Sequence, residues 1–234
     1  MATHYRTQGF ILSKNDLREA DRIYSVFTKD FGRLEILGRA IRKIKSKLRS
    51  GAELFYLSEI EFIQGKNYKT LTDALIIEKF KNIRKNLKKL RTAYQIAETL
   101  DGLIKGTERD DEIYGLLNEV FDKLNKCLSF TMNYKLLYYY FFWNLVSILG
   151  YQIDLHNCAV CRKRLSSSAL YFDPSSGIVC CSETKIGISC EVVKILRIIL
   201  QKDWGVISRL KNAEGYIKGL KVVTDNYFDY VKNQ

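Results

Sequence analysis

The sequence holds one proline, Pro174, and two histidines, His4 and His156. A single proline excludes proline-rich linkers, so any domains follow one another closely. Two histidines leave little material for general acid–base chemistry. No G-x-x-x-x-G-K-[ST] phosphate loop, no G-x-S-x-G and no H-E-x-x-H is present. The acid pair Asp110-Asp111 opens a helical stripe, where the helix dipole accounts for it. No catalytic turnover is expected. Long hydrophobic runs are also missing. The longest, Leu136–Leu149 (LLYYYFFWNLVSIL), is shorter than the ~20 residues that span a bilayer, contains Asn144 and follows Lys135. It reads as a buried helix. The start, MATHYRTQGFIL, lacks the pattern of a signal peptide. A cytoplasmic chain with no membrane partner is the expectation.

Charge is abundant and unevenly placed. The formal net charge is +12. Arg33, Arg39, Arg42, Lys43, Lys45, Lys47 and Arg49 stand in one stretch with a single acid, Glu35. Lys79, Lys81, Arg84, Lys85, Lys88, Lys89 and Arg91 stand in a second with no acid. These two stretches hold the whole positive excess, and the remainder is close to neutral. An isolated charge run is usually a solvated face. Two that carry all the excess form the electrostatic footprint of a polyanion binder.

The first eighty residues read as β. Thr7–Leu12, Arg22–Thr28, Arg33–Leu37, Phe55–Ile63 and Tyr68–Ile77 are short and rich in Ile, Phe, Tyr, Val and Thr. Turn signals at Asn15-Asp16, Lys29–Gly32 and Gly65–Asn67 separate them. Five such strands suit a small closed barrel, the OB-fold, whose strand face and loops bind nucleic acid. The first basic stretch then forms a loop between the third and fourth strands, with Gly38 and Gly51 at its ends. Tyr24, Phe27, Phe31 and Tyr56 are candidates to stack bases, although core positions are the commoner fate of such residues.

From about Glu78 the period becomes helical. Ile83, Leu87 and Leu90 are spaced at i, i+4 and i+7 between the cations, predicting a basic helix that joins barrel to bundle. Lys81, Arg84, Lys85 and Lys88 share a broad face on it, open to DNA or to an acidic peptide. Further apolar stripes run through 96–104 and 113–124. Leu136–Leu149 is apolar all round, as in the central helix of a bundle, and Gly150 ends it. Helical pattern resumes at Val192–Leu200 and again over 207–231.

Residues 151–190 lose periodicity and hold five of the six cysteines together with the serine cluster Ser166–Ser168. With no export signal, these thiols point to metal rather than disulfides. Cys158-Ala-Val-Cys161 is a C-x2-C knuckle, and Cys180-Cys181 follow at zinc-ribbon distance. Two thiolates on a tight knuckle reach one tetrahedral ion. Of the adjacent pair Cys180/Cys181, one is expected to be a bystander. The fourth ligand stays open between Cys190, Glu183 and His156. Cys127 stands apart and reads as a core residue. The fold class is thus α+β: a five-stranded OB-fold barrel over 1–78, a helical domain over 79–150, an inserted zinc-ribbon-like cysteine module over 151–190, and C-terminal helices over 191–234 completing the helical domain.

The segments TQGFILS (7–13), LREADRI (17–23), FTKDFGRLEILGRAIRKIKSKLR (27–49) and FYLSEIEF (55–62) resemble the RecO family of bacterial recombination mediators. That family's pattern runs T-x-x-x-G-(K/R)-L, then a basic K-G-x-R-(R/K)-x-x-S stretch, then a strand. Gly32-Arg33-Leu34 and Gly38–Lys47 follow it. The departure is Glu183, which takes the place of a fourth cysteine present in many members; other members lack the cysteines altogether. The resemblance implies a nucleoid-associated bacterial protein that binds single- and double-stranded DNA without sequence preference and anneals complementary strands. It implies action with RecR, help to RecA in loading on coated single strands, and binding of the acidic C-terminal tail of the single-strand DNA-binding protein (SSB). Arg33, Arg39, Arg42, Lys43, Lys45, Lys47, Arg49, Lys81, Arg84, Lys85 and Lys88 are the expected DNA contacts. Cys158, Cys161, Cys180, Cys181 and Cys190 are the candidate ligands of a structural Zn2+. An RNA-binding protein with a barrel and a zinc ribbon is the competing reading.

Overall fold

The computed structural model describes residues 3–127, 134–166, 169–181, 186–210 and 214–234. By its internal packing the chain forms two compact units, Met1–Lys126 and Cys127–Gln234.

The first unit opens with strands β1 (His4–Leu17), β2 (Asp21–Thr28), β3 (Gly32–Gly38), β4 (Leu57–Gln64) and β5 (Lys69–Glu78). They close into a barrel in the order β1-β2-β3-β5-β4. The expected five-stranded, OB-like barrel is present. Closure depends on β1, which pairs with β4 over His4–Phe10 and with β2 over Gly9–Leu17. An irregularity between Ile11 and Ser13 bends the strand where it changes partner. The remaining seam is the parallel pairing of Ile36 with Lys69 and Leu37 with Thr70. Alternating residues fill the interior, among them Ile11, Tyr24, Val26, Leu34, Ile36, Ile60, Phe62 and Leu71.

One turn is displaced from its expected place. Asn15-Asp16 is strand, paired with Ile23 and Arg22, and the chain reverses at Arg18–Ala20. The polar pair is held in the ladder because Asp16 Oδ1 accepts a 2.6 Å hydrogen bond from Arg22 Nε on the opposite strand.

Beyond β5 come a single helical turn, α1 (Lys81–Arg84), then α2 (Leu87–Leu103) and α3 (Asp111–Lys126). The expected continuous basic helix is broken at Asn86, which adopts extended backbone and caps α2 by accepting from the amides of Lys88 and Lys89. That break turns Leu87 out to solvent, away from the side of Ile83. The start of α3 matches expectation: Asp110 Oδ1 accepts from the Ile113 amide, with Asp111 and Glu112 in the first turn. Phe121 of α3 lies against Phe10, Phe55 and Phe80, with ring centroids 5.4, 5.9 and 5.7 Å away. This aromatic cluster joins the helices to the outer side of β1.

The second unit is built on α4 (Tyr134–Ile148), which is buried on nearly every side, as expected from its uniform apolarity. Gly150 follows it at φ +86°. A small sheet of β6 (Leu170–Asp173), β7 (Gly177–Val179) and β8 (Ile186–Ile188) comes next, then α5 (Cys190–Leu200), α6 (Trp204–Ile207) and α7 (Glu214–Lys232). Trp143 of α4 stacks on Tyr227 of α7 at 5.2 Å and donates through Nε1 to Thr224 Oγ1. Buried Asn144 donates to the carbonyls of Tyr140 and Ile199, which satisfies its amide nitrogen inside the core. Among the described residues no helix is long and apolar enough to cross a membrane.

Candidate nucleic-acid interface and cysteine cluster

The segment between β3 and β4 carries the first basic stretch. Two apolar anchors hold it to the barrel: Ile41 and Ala52 are both buried in the interior. Leu48, in a 3-10 turn at Lys47–Ser50, is half-buried against the same core. At the entry, the Ala40 amide donates to Asp21 Oδ1 (2.8 Å) and the Arg42 amide to the Ala20 carbonyl (3.0 Å). Gly51 lies so close to β5 that a Cβ there would stand 1.9 Å from the Ala74 carbonyl oxygen. Only glycine permits that approach. Ser58 Oγ donates to the Gly51 carbonyl at 2.7 Å and locks it.

Between these anchors Arg39, Arg42, Lys43, Lys45, Lys47 and Arg49 are all exposed. Arg42 stands 3.5 Å from Asp16 Oδ2 and donates to the Arg18 carbonyl. The Arg22 guanidinium, bonded to Asp16, holds the Asp16 carboxyl below the usual aspartate range, with Arg42 and Lys14 adding to the effect. Arg33 is placed differently. It lies on β3, and its Nε donates to Asp101 Oδ1 of α2 at 2.8 Å, an oxygen that also accepts from Ser25. Its charge is balanced inside the fold.

In the second basic stretch Lys81, Arg84, Lys85 and Lys88 are exposed. Arg84 links this stretch to the loop. Its guanidinium carbon lies 4.2 Å from the centre of the Tyr56 ring, and Nη2 donates to the Leu54 carbonyl. The chain that leaves the basic loop and the turn that begins the second run therefore touch. Lys89 points the other way: it is buried, and its Nζ donates to the Asn125 carbonyl.

For Tyr24 and Phe27 the commoner expectation, a place in the core, holds. Tyr24 and Phe27 are buried and unable to stack a base. They occupy inward and helix-facing positions of β2, and strand alternation without a known register does not reveal which. Phe31 is half-buried edge-on against Tyr5 and Phe62. Tyr56 carries Arg84 on its ring.

The cysteines converge in the second unit. Sγ atoms of Cys158, Cys161 and Cys180 all lie within 4.8 Å of one another. Arg162, at φ +61°, turns the knuckle back, so that its amide reaches the Cys158 carbonyl at 3.0 Å. The Ala159 amide donates to the Ile178 carbonyl, which fixes the knuckle on β7 beside Cys180. Cys161 Sγ is 3.8 Å from Cys180 Sγ, and Cys158 Sγ is 3.7 Å from Cys181 Sγ. Thiolates bonded at about 2.3 Å to one tetrahedral ion stand ~3.8 Å apart, so the donor set fits a metal. Of the adjacent pair, Cys180 joins the three-sulfur group, whereas Cys181 approaches Cys158 without belonging to it, in keeping with the expectation of one bystander. Burial opposes ionisation of Cys158, but the amides of Cys161, Cys180 and Val160 outweigh it and pull the thiol down to about 5. Burial and the two knuckle thiols push Cys180 up to about 11. Cys190 opens α5, and neither it nor His156 belongs to the three-sulfur group. Glu183 and the end of the serine cluster lie outside the described residues. Cys127 is half-buried just beyond α3.

A closed OB-like barrel with a cationic β3–β4 loop, followed along the chain by helices and a small cysteine-bearing sheet, defines the class of protein. The family model described as Recombination protein O N terminal matches residues 1–80, and that described as Recombination protein O C terminal matches 84–231. The chain belongs to the RecO family. It is 34% identical over 212 residues to the DNA repair protein RecO of Dehalococcoides mccartyi strain 195, covering 88% of this chain and 82% of that one. It is 32% identical over 242 residues to the DNA repair protein RecO of Thermodesulfovibrio yellowstonii, covering 96% and 92%. The Caldanaerobacter subterraneus protein of the same name is 29% identical over 233 residues, covering 94% and 90%.

Proposed function

We propose that this chain is a non-catalytic mediator of recombinational repair. It binds single- and double-stranded DNA through charge, anneals complementary strands and, with RecR, assists RecA onto single strands coated by SSB. Family membership supports the repair role. The observation that carries the DNA reading is the loop: six exposed cations on one connection, anchored at both ends by buried apolar residues. Such groups neutralise phosphates and release condensed counterions without reading sequence. Annealing requires two mutually repelling polyanions to share one positive surface. Arg84 brings a second cationic segment to the end of that loop, which lengthens the available track.

In this reading the cysteine cluster holds a structural Zn2+ that fastens knuckle to ribbon, and the metal takes no part in turnover. The acidic tail of SSB docks on the helical region. The protein acts in the bacterial cytoplasm, at the nucleoid.

The test is a fluorescence annealing assay on complementary oligonucleotides, with and without their cognate coating protein. Acceleration by this chain under both conditions is expected. No acceleration, or tighter binding to structured RNA than to single-stranded DNA, would overturn the proposal.

A further inference from the structure

The tip of the basic loop breaks a local rule. The Lys43 carbonyl accepts from the Ser46 amide at 3.0 Å, which closes a turn with Ile44 and Lys45 at its centre. Central turn positions favour residues that preset the backbone or bond to it, such as Pro, Gly, Asn, Asp and Ser. Here one is a β-branched hydrocarbon, and it is 95% exposed. The other isoleucine of the loop, Ile41, is fully buried, so the segment does not lack an apolar anchor. An isolated exposed apolar residue is ordinary on protein surfaces. This one differs in its setting, with Arg42, Lys43, Lys45 and Lys47 around it, all exposed. A second turn, closed from the Lys43 amide to the Ala40 carbonyl, and the anchors at Ile41 and Leu48 fix the tip on the barrel. A polyanion drawn to those cations meets the isoleucine at the same place. In a single strand the bases stack loosely and their faces are open to apolar contact, and in duplex DNA apolar side chains act as wedges between base steps.

We propose that Ile44 is an apolar wedge that enters between neighbouring bases of single-stranded DNA held by the cations around it. The inference deepens the DNA-binding reading above and rests on it. The wedge unstacks the strand locally and presents base edges to an incoming complement, while the cations hold the phosphates.

The test uses the full chain and a single-stranded oligonucleotide containing 2-aminopurine, whose fluorescence rises on unstacking. Wild-type protein should bind and raise the signal. Ile44→Ser should lose most of that rise while keeping the wild-type dependence of affinity on salt, and Ile44→Leu should restore it. An Ile44→Ser response equal to wild type would overturn the wedge. Wild-type binding with the expected salt slope but no fluorescence change would overturn it too, and would leave the charge reading standing. Failure of the wild-type chain to bind would instead overturn the DNA reading, and the wedge with it.

Discussion

Arg33 Nε lies 2.8 Å from Asp101 Oδ1, with the two side chains 22% and 27% exposed. Seven cations crowd the sequence from Arg33 to Arg49, and this pairing separates one from the other six. Arg33 fastens β3 to α2, whereas the six beyond Gly38 face solvent.

That separation makes the first prediction. Arg33→Ala should lower stability by up to roughly 3 kcal/mol, through loss of a charge-assisted hydrogen bond in a partly buried setting. Asp101→Asn should do so less. Neither change should alter the salt dependence of DNA binding, as urea melts and fluorescence titrations will show.

Replacing Arg39, Arg42, Lys43, Lys45, Lys47 and Arg49 with alanine should act in the opposite way. All six are exposed, and the contacts of Arg42 with Asp16 and the Arg18 carbonyl are surface contacts of small worth, so the melting temperature should fall only slightly. The slope of log affinity against log salt should flatten by about 0.7 for each phosphate that these side chains neutralise on a single strand. An unchanged slope would remove the loop from the DNA-binding account.

Gly51→Ala should destabilise the barrel without removing any charge. The added Cβ would meet the Ala74 carbonyl oxygen at 1.9 Å, so the loop or β5 must shift. Overpacking of this kind costs typically about 1–3 kcal/mol. Urea denaturation will measure it, and the β3–β4 connection should gain susceptibility to proteolysis.

Elemental analysis of protein purified without chelator should find about one zinc per chain, as one closed thiolate site requires. Cys158→Ser and Cys161→Ser should each abolish it and lower the melting temperature, because metal binding contributes to folding of so small a ribbon. Cys127→Ser should retain the metal.

The pH dependence of the loop entry follows from Asp16. Its carboxyl is held low chiefly by the hydrogen bond from Arg22. A depressed carboxylate stabilises the fold above its unfolded pKa and loses that effect as pH falls through the folded value. Wild type should therefore melt above Asp16→Asn at about pH 7, and the gap should close on acidification well below about pH 4.

Much of the fold was legible because burial periodicity survives in a single chain. The strands, the acid-capped start of α3, the uniformly apolar α4 and its terminating Gly150 each follow from a local rule. Asn15-Asp16 misled because the same residues that favour turns also pair across strands when a cation stands opposite, as Arg22 does. Leu87 misled because an apolar spacing continues through the sequence even where Asn86 restarts the helix. The aromatic residues of the barrel were ambiguous because the side of a strand that faces inward depends on register, which partner strands set.

For the candidate site, sequence alone determined composition: where the cations cluster, that two thiols form a knuckle, and that conventional catalytic motifs are lacking. Tertiary structure decided availability. It neutralised Arg33 with an acid from a distant helix, buried Lys89, brought Arg84 onto Tyr56, and carried Cys180 rather than Cys181 into the group of knuckle thiols. The physical reason is range. Propensity and periodicity act between neighbours along the chain, whereas the pairing of a charge or thiol depends on groups that only folding brings within a few ångströms.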